Sequence, residues 1–400
     1  MESGLGRDGL VINVPKGFED MYKNSSYWSP YEKNIRGYVY DDLPELDYYI
    51  STDYSRNGAV TCIQKASEGA GIDLVMMGDG FTDIQVADGT YASVMRKMAD
   101  AFFSEEPYKT LRPLVNVYSV DVVSATEGYG HPGQALSGWF GDGTLVGGND
   151  SRCFDYARGA VGDSRMDDVL IIVAMNSTKY AGTCYMYYPE NGDYSRGPSV
   201  AYFPIGENEE DLVPLVHHEA GGHGFSKLDD EYAYESNGTI PQSVIENKVA
   251  TSAYGWWKNI DFTNDPSLVK WSKFLTDSRY AYDGLGCFEG AGTYWRGAWR
   301  PTEDSIMRYN TGGFNAPSRE AIWYRAYKLA YGDGWQYDYE EFVRYDAKNR
   351  KTSASAAVPS RDNRVEKLKP RLHPPVIVPR RWNDANPASS QEMVPMSIGK

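Results

Sequence analysis

The chain has 400 residues, 41% hydrophobic and 24% charged, enough for one large catalytic domain with appendages. Its 40 Lys and Arg stand against 55 Asp and Glu, a formal charge of −15, which is the wrong balance for binding nucleic acid through its phosphates. No run approaches the ~18–20 uninterrupted apolar residues of a transmembrane helix.

In chain order, Met1-Glu2-Ser3-Gly4 lacks the basic-then-apolar order of an export leader. The expectation is a cytosolic chain, or one whose leader is absent from this sequence. Residues 1–70 are polar and rich in tyrosine (Tyr38, Tyr40, Tyr48, Tyr49, Tyr54), and they read as a small β-type appendage. Ile72 to Met77 is an apolar run closed by Gly78-Asp79-Gly80, a strand entering a tight turn. Val94, Met95, Met98, Ala101 and Phe102 recur at helical spacing, and Pro107 ends that helix.

Strands are expected at Leu114–Val123, Val169–Met175, Cys184–Tyr188 and Val200–Phe203, followed by a helix from near Glu207 with acids in its first turn. That order, strand, helix, four strands, helix, describes an α/β or α+β fold with a mixed sheet. Residues 317–331 form a further helix with Pro317 in its first turn. The last fifty residues carry 7 of the 21 prolines, with nine Lys and Arg against four Asp and Glu. They read as an extended or disordered tail. The division is thus 1–70 appendage, 71–348 main domain, 349–400 Pro-rich basic tail.

The four cysteines (Cys62, Cys153, Cys184, Cys287) form no CxxC pair, which excludes a cysteine zinc site. Buried thiols and disulfides both remain open. Chemistry concentrates instead in His217-His218-Glu219-Ala220-Gly221-Gly222-His223-Gly224, which holds three of the five histidines. Two histidines flanking a glutamate suit a zinc ion with a carboxylate general base. The usual spacing is His-Glu-x-x-His, because residues four apart share a helix face. Here the second histidine comes one residue late, and on a regular α-helix the two rings would be about 140° apart. A π-bulge would return them to one face, and Gly221 and Gly222 leave room for it. His217 lies about 100° from His218 on the helix and is not expected to be a ligand. Leu228-Asp229-Asp230-Glu231-Tyr232 then supplies acids for a third ligand, and Asp304-Ser305-Ile306-Met307-Arg308-Tyr309 resembles the Met-turn of metzincins.

From about Ile72 to Tyr345 the chain resembles the IgA-peptidase family of zinc metallopeptidases, best known from gut bacteria. The resemblance rests on Gly78-Asp79-Gly80-Phe81-Thr82, His218-Glu219 with His223, Leu228 followed by Asp230-Glu231-Tyr232, and Arg300-Pro301-Thr302 leading to Met307-Arg308. It implies a metzincin-like domain with a mixed, mostly parallel twisted sheet, an active-site helix and a Met-turn at Met307. It also implies one catalytic Zn2+ on His218, His223 and Asp230, with Asp229 and Glu231 as the alternatives for the third ligand. Glu219 is then the general base, and Tyr309 is the donor to the oxyanion on the astacin pattern. Tyr185, Met186 and Tyr187 lie on the edge strand that would pair with extended substrate. The implied activity is endopeptidase cleavage of a protein or peptide, with a host glycoprotein as one candidate, by an enzyme that is secreted, periplasmic or on the cell surface. The alternatives are a catalytically silent glycan- or peptide-binding protein and, from the His-Glu-x-x-Gly-His spacing alone, a dipeptidyl peptidase. Trp256, Trp257, Trp271, Trp295 and Trp299 are expected to build a subdomain core, or else a wall of the cleft.

Overall fold

The computed structural model describes residues 10–24, 28–38, 48–189, 197–206, 209–352, 369–379 and 381–383. The chain divides into two compact units, Met1–Tyr49 and Ile50–Lys400. In the first, Ile12–Pro15 pairs in parallel with Ile35–Tyr38, and Val14 and Ile35 are buried apolar residues among those described. The boundary expected at residue 70 therefore falls about twenty residues earlier. The reason is that Val60–Gln64 is a strand of the main sheet rather than of the appendage.

The second unit is built on a seven-stranded sheet. Its strands are β1 (Val60–Gln64), β2 (Ile72–Asp79), β3 (Val115–Val120), β4 (Leu170–Met175), β5 (Thr183–Tyr187), β6 (Ser199–Pro204) and β10 (Val376–Val378). The order across the sheet is β10-β5-β6-β4-β2-β3-β1. Strands β3, β2, β4 and β6 are mutually parallel, while β1 runs antiparallel to β3 and β5 antiparallel to β6. This is the mixed sheet expected from the sequence.

The central strands are apolar on both faces, as a sheet covered on both sides must be. Leu74, Met76, Ile172, Ala174, Ala201 and Phe203 enter one core, and Val75, Met77, Ile171, Val173, Val200 and Tyr202 the other. Helix α1 (Thr90–Phe102) covers the first face through Met95, Met98 and Phe102. Helix α2 (Asp150–Val161) covers the second through Cys153, Phe154 and Ala157. Helix α2 is missing from the expected order of elements. Its local signals were present: the Asn149 side chain caps the amide of Arg152, Gly162 has φ +78°, and Phe154 and Ala157 follow at helical spacing.

The helix expected near Glu207 begins, among the described residues, as α3 (Glu209–Leu215), and its first two expected residues lie outside them. It runs on without a break into a π-helix, Val216–Phe225. A three-stranded sheet follows, with β9 (Thr293–Thr302) between β7 (Ala233–Thr239) and β8 (Leu285–Ala291). Trp256, Trp257 and Trp271 are fully buried beside it and Trp299 is half-buried, while Trp295 is 45% exposed. Three of the five tryptophans are therefore core. Helix α4 (Gln242–Thr251) lies between β7 and β8, the short α5 (Ile306–Tyr309) follows β9, and α6 (Ala316–Tyr331) starts with Pro317 in its first turn.

The tail is extended at residues 376–378, and there it joins the main sheet. Val376–Val378 is a strand that pairs in parallel with β5, in register Val376 with Tyr185, Ile377 with Met186 and Val378 with Tyr187. The remaining tail positions, 353–368, 380 and 384–400, lie outside the described residues. All four cysteines are free thiols: Cys153 and Cys184 buried, Cys287 partly buried, Cys62 exposed. No helix among the described residues is long and apolar enough to cross a membrane.

Candidate metal centre

The π-helix answers the spacing problem set by the late histidine. In i→i+5 bonding, the fifth residue returns over the first, so His218 and His223 meet on one face. The expected distortion is present, spread over ten residues rather than confined to a single bulge. The glycines between the histidines have a further task that sequence reasoning missed. A Cβ on Gly221 would lie 2.8 Å from the Tyr108 ring, and one on Gly222 would lie 2.3 Å from Met307 Sδ. Gly221 also accepts the Tyr108 hydroxyl at 2.6 Å through its carbonyl. The stretch is glycine because neighbours press against it as well as because it is distorted.

His218 Nε2 lies 3.1 Å from His223 Nε2 and 3.1 Å from Asp230 Oδ1, and His223 Nε2 is 3.5 Å from the same oxygen. All three side chains are essentially without solvent exposure. His218 Nδ1 lies 3.0 Å from the Ile306 carbonyl and His223 Nδ1 lies 2.8 Å from the Leu228 carbonyl. A carbonyl only accepts, so each Nδ1 is the donor there; Nε2 faces the shared space, where it donates to Asp230 when the ring is protonated and offers a lone pair once that proton is lost. Two Nε2 atoms and a carboxylate oxygen thus converge in a buried space, where a cation could replace the protons that otherwise hold the group together. These donors could hold a metal ion, and histidine held through its second nitrogen is the usual form of such ligands.

The other acids turn away. Asp229 pairs with Lys248 and accepts the amide of Asp230, while its own amide donates to Asn259. Glu231 accepts the Ser305 hydroxyl at 2.6 Å, Asn259 at 3.0 Å and Asn315 at 2.9 Å, and its amide donates to the Met307 carbonyl. This buried carboxylate ties the acidic turn to the turn at Met307. Burial raises its pKa, and the donors from Ser305, Asn259 and Asn315 oppose the rise.

Glu219 is wholly buried, and both its oxygens lack a hydrogen-bond partner within the protein. Burial pushes its pKa up to about 8, against the attraction of His223. Burial also works to raise the Asp230 carboxyl, yet the facing histidines hold it at about 2. A Cβ on Gly182 would meet the Glu219 side chain at 2.9 Å, so glycine there leaves that carboxylate its space. Met307 packs beneath the π-helix at Gly222. Tyr309 lines, with His218, Tyr180 and Tyr232, a cavity of about 10 Å³, room for about one water. Sequence reasoning named neither Tyr180 nor Tyr232 as facing this space.

His217 stands apart from the group. Its ring stacks on Tyr108, and Nε2 lies 3.2 Å from the Phe102 carbonyl. The Gly78-Asp79-Gly80-Phe81-Thr82 motif is architectural: buried Asp79 accepts the amides of Leu136 and Gly138 at 2.9 and 2.8 Å, fixing the loop that follows β3. Gly80 has φ +80°, a conformation suited to glycine. Tyr185, Met186 and Tyr187 point into the protein. Tyr185 donates to the Val146 carbonyl, Met186 is buried, and Tyr187 donates to Asp150. The outer edge of their strand is covered by β10, so the open edge expected from the sequence is closed here, an unpaired edge being a liability that chains tend to cover.

A mixed α/β fold of this kind, with a buried histidine–carboxylate cluster beside an unpaired glutamate, is consistent with a peptidase domain. The chain matches the IgA Peptidase M64 family over residues 61–281, more than half its length, and belongs to that family. It is accordingly a peptidase, a hydrolase acting on peptides. No match is found among curated proteins. Met307 and Tyr309 lie beyond the matched stretch.

Proposed function

We propose that this chain is a zinc-dependent endopeptidase of metzincin type. His218, His223 and Asp230 would hold one zinc ion, Glu219 would serve as general base and Tyr309 as hydrogen-bond donor to the developing oxyanion. The observation that carries this reading is the convergence of two Nε2 atoms and Asp230 Oδ1, within 3.1–3.5 Å, beside a buried glutamate with no partner. The sheet order, with an antiparallel β5 outside four parallel strands, and the methionine below the histidine helix support the metzincin assignment.

When bound, zinc supplies Lewis acidity, acidifying a water and polarising the scissile carbonyl. The protein's own groups do the rest. Each Nδ1–H bond to a carbonyl fixes one tautomer and one ring orientation. Glu219, next to the first ligand, takes a proton from the attacking water and delivers it to the leaving amine. Burial without a competing hydrogen-bond donor favours that role, since both carboxylate oxygens are left for the attacking water. Tyr309 donates to the carbonyl oxygen as charge gathers there. The substrate is a protein or peptide bound in extended form along β5, largely through main-chain hydrogen bonds; export from the cell and a host glycoprotein substrate belong to the same proposal.

The test is metal analysis of the wild type and of Glu219→Gln, with cleavage of an internally quenched peptide blocked at both ends. About one zinc per chain in both proteins, with turnover only in the wild type, is expected. Turnover by Glu219→Gln, or protein without transition metal, overturns the proposal. Cleavage only of peptides with a free amino terminus would replace endopeptidase with dipeptidyl peptidase.

A further inference from the structure

An endopeptidase must admit a polypeptide to its reacting groups, and in this structure the groups are sealed. His218, Glu219, His223 and Asp230 are each 1% exposed or less. The cavity beside them has room for about one water. One wall of that cavity is a piece of the C-terminal segment, Lys369 to Leu372. Lys369 pairs with Asp211 of α3. The Arg371 guanidinium lies 3.9 Å from the centre of the Tyr309 ring and donates to the Arg308 carbonyl. The Arg371 carbonyl accepts Thr144 Oγ1 at 2.8 Å. Leu372 is buried, and its carbonyl accepts the Tyr232 hydroxyl at 2.6 Å.

The segment then crosses to the sheet edge. Val376, Ile377 and Val378 pair with Tyr185, Met186 and Tyr187, using the main-chain groups that extended substrate would need. Beyond that strand, Trp382 donates to Asp167, lies 5.7 Å from the Phe154 ring and sits under the Arg158 guanidinium. The segment is anchored beside the Met307 turn, beside the histidine cluster, along β5 and at α2. Pro370, Pro374 and Pro375 bias it toward an extended form and lower the entropy lost on docking.

We infer that residues 369–379, with Trp382 as a further anchor, are a built-in occupant of the substrate cleft, an autoinhibitory strap that must be displaced or cut before protein substrates enter. This inference rests on the reading of the cluster as a peptidase centre. It also reassigns two interactions: the Tyr232 hydroxyl, now on the Leu372 carbonyl, becomes a donor to a substrate carbonyl, and the aromatic face of Tyr309 is uncovered when Arg371 leaves.

The experiment uses the full chain with anchors removed, Arg371→Ala combined with Trp382→Ala, and separately Ile377→Pro, which breaks the strand pairing. Zinc content, kcat/KM on the blocked quenched peptide, and amide exchange along β5 are measured for each. At unchanged zinc content, a rise in kcat/KM of at least about tenfold with faster exchange in β5 is expected. A synthetic peptide of residues 369–382 should inhibit the loosened variants competitively. Faster exchange in β5 with unchanged or lowered kcat/KM, or no inhibition by the peptide, overturns the inference. If every form, including the wild type, is inactive although zinc-loaded, it is the peptidase reading that fails. Binding of the fluorescently labelled peptide to the loosened variants then decides occupancy by itself, saturable binding upholding it and no binding ending it.

Discussion

Three acids follow His223 within one turn, and their surroundings give them different work. Asp230 faces both histidines, Asp229 is bound to Lys248, and Glu231 is enclosed by Ser305, Asn259 and Asn315. Asp230→Ala should therefore abolish retention of zinc through dialysis, as read by metal analysis. Glu231→Gln should keep the metal yet lower unfolding free energy by about 1–3 kcal/mol, because an amide NH2 would replace an acceptor among donors. Denaturant unfolding checks the stability loss, and metal analysis of the two variants would reveal an exchange of roles if Glu231→Gln lost zinc and Asp230→Ala kept it. Tyr309→Phe should lower kcat on the order of a hundredfold with zinc content unchanged, the size expected for removing one donor to an oxyanion. An unaltered kcat would remove Tyr309 from the chemistry. The pair of histidines and the glutamate were legible in the sequence because their types and order suffice. The choice among the three acids was not a matter of local order. It depends on Lys248, Asn259, Ser305 and Asn315, each far along the chain and brought in by the fold.

At the scale of elements, the decisive piece is the π-helix Val216–Phe225. The i, i+5 spacing announced a distortion, since a regular α-helix would have separated the rings. What spacing alone could not show is the pressure on the glycines from Tyr108 and Met307, because both partners come from other elements. Gly222→Ala should destabilise the protein by about 1–3 kcal/mol, the range for overpacking a core, since its Cβ would lie 2.3 Å from Met307 Sδ. Combining it with Met307→Ala should recover part of the loss, giving a favourable coupling energy in a double-mutant cycle of thermal or denaturant unfolding. Strict additivity would mean that the two side chains do not contend for the same space. The same distinction separates α6 from α2. Pro317 marks the start of α6 within its own segment. By contrast, α2 begins in a Gly- and Asp-rich stretch whose turn chemistry outweighed the short apolar pattern of Cys153, Phe154 and Ala157.

Across the whole molecule, long-range pairing decides what composition could not. The proline-rich, basic end of the chain has the make-up of an extended tail, yet residues 376–378 extend the main sheet because β5 offers an unpaired edge. Composition describes what a segment can do alone and carries no record of a distant edge that will accept it. The candidate metal centre is likewise a junction, joining the π-helix, the acidic turn and, through the His218–Ile306 bond, the turn holding Met307. Metal should consequently stabilise the unit as a whole. At free zinc a hundredfold above its dissociation constant, linkage adds about 2.7 kcal/mol, provided the unfolded chain binds none. A chelator should lower Tm by several degrees, and stoichiometric zinc should restore it. Far-ultraviolet circular dichroism below the transition should change little, since the sheet and its two cores do not depend on the ion. Asp230→Ala should show no zinc-dependent shift in Tm. A shift of equal size in that variant would place the stabilising ion elsewhere and detach the histidine cluster from metal binding.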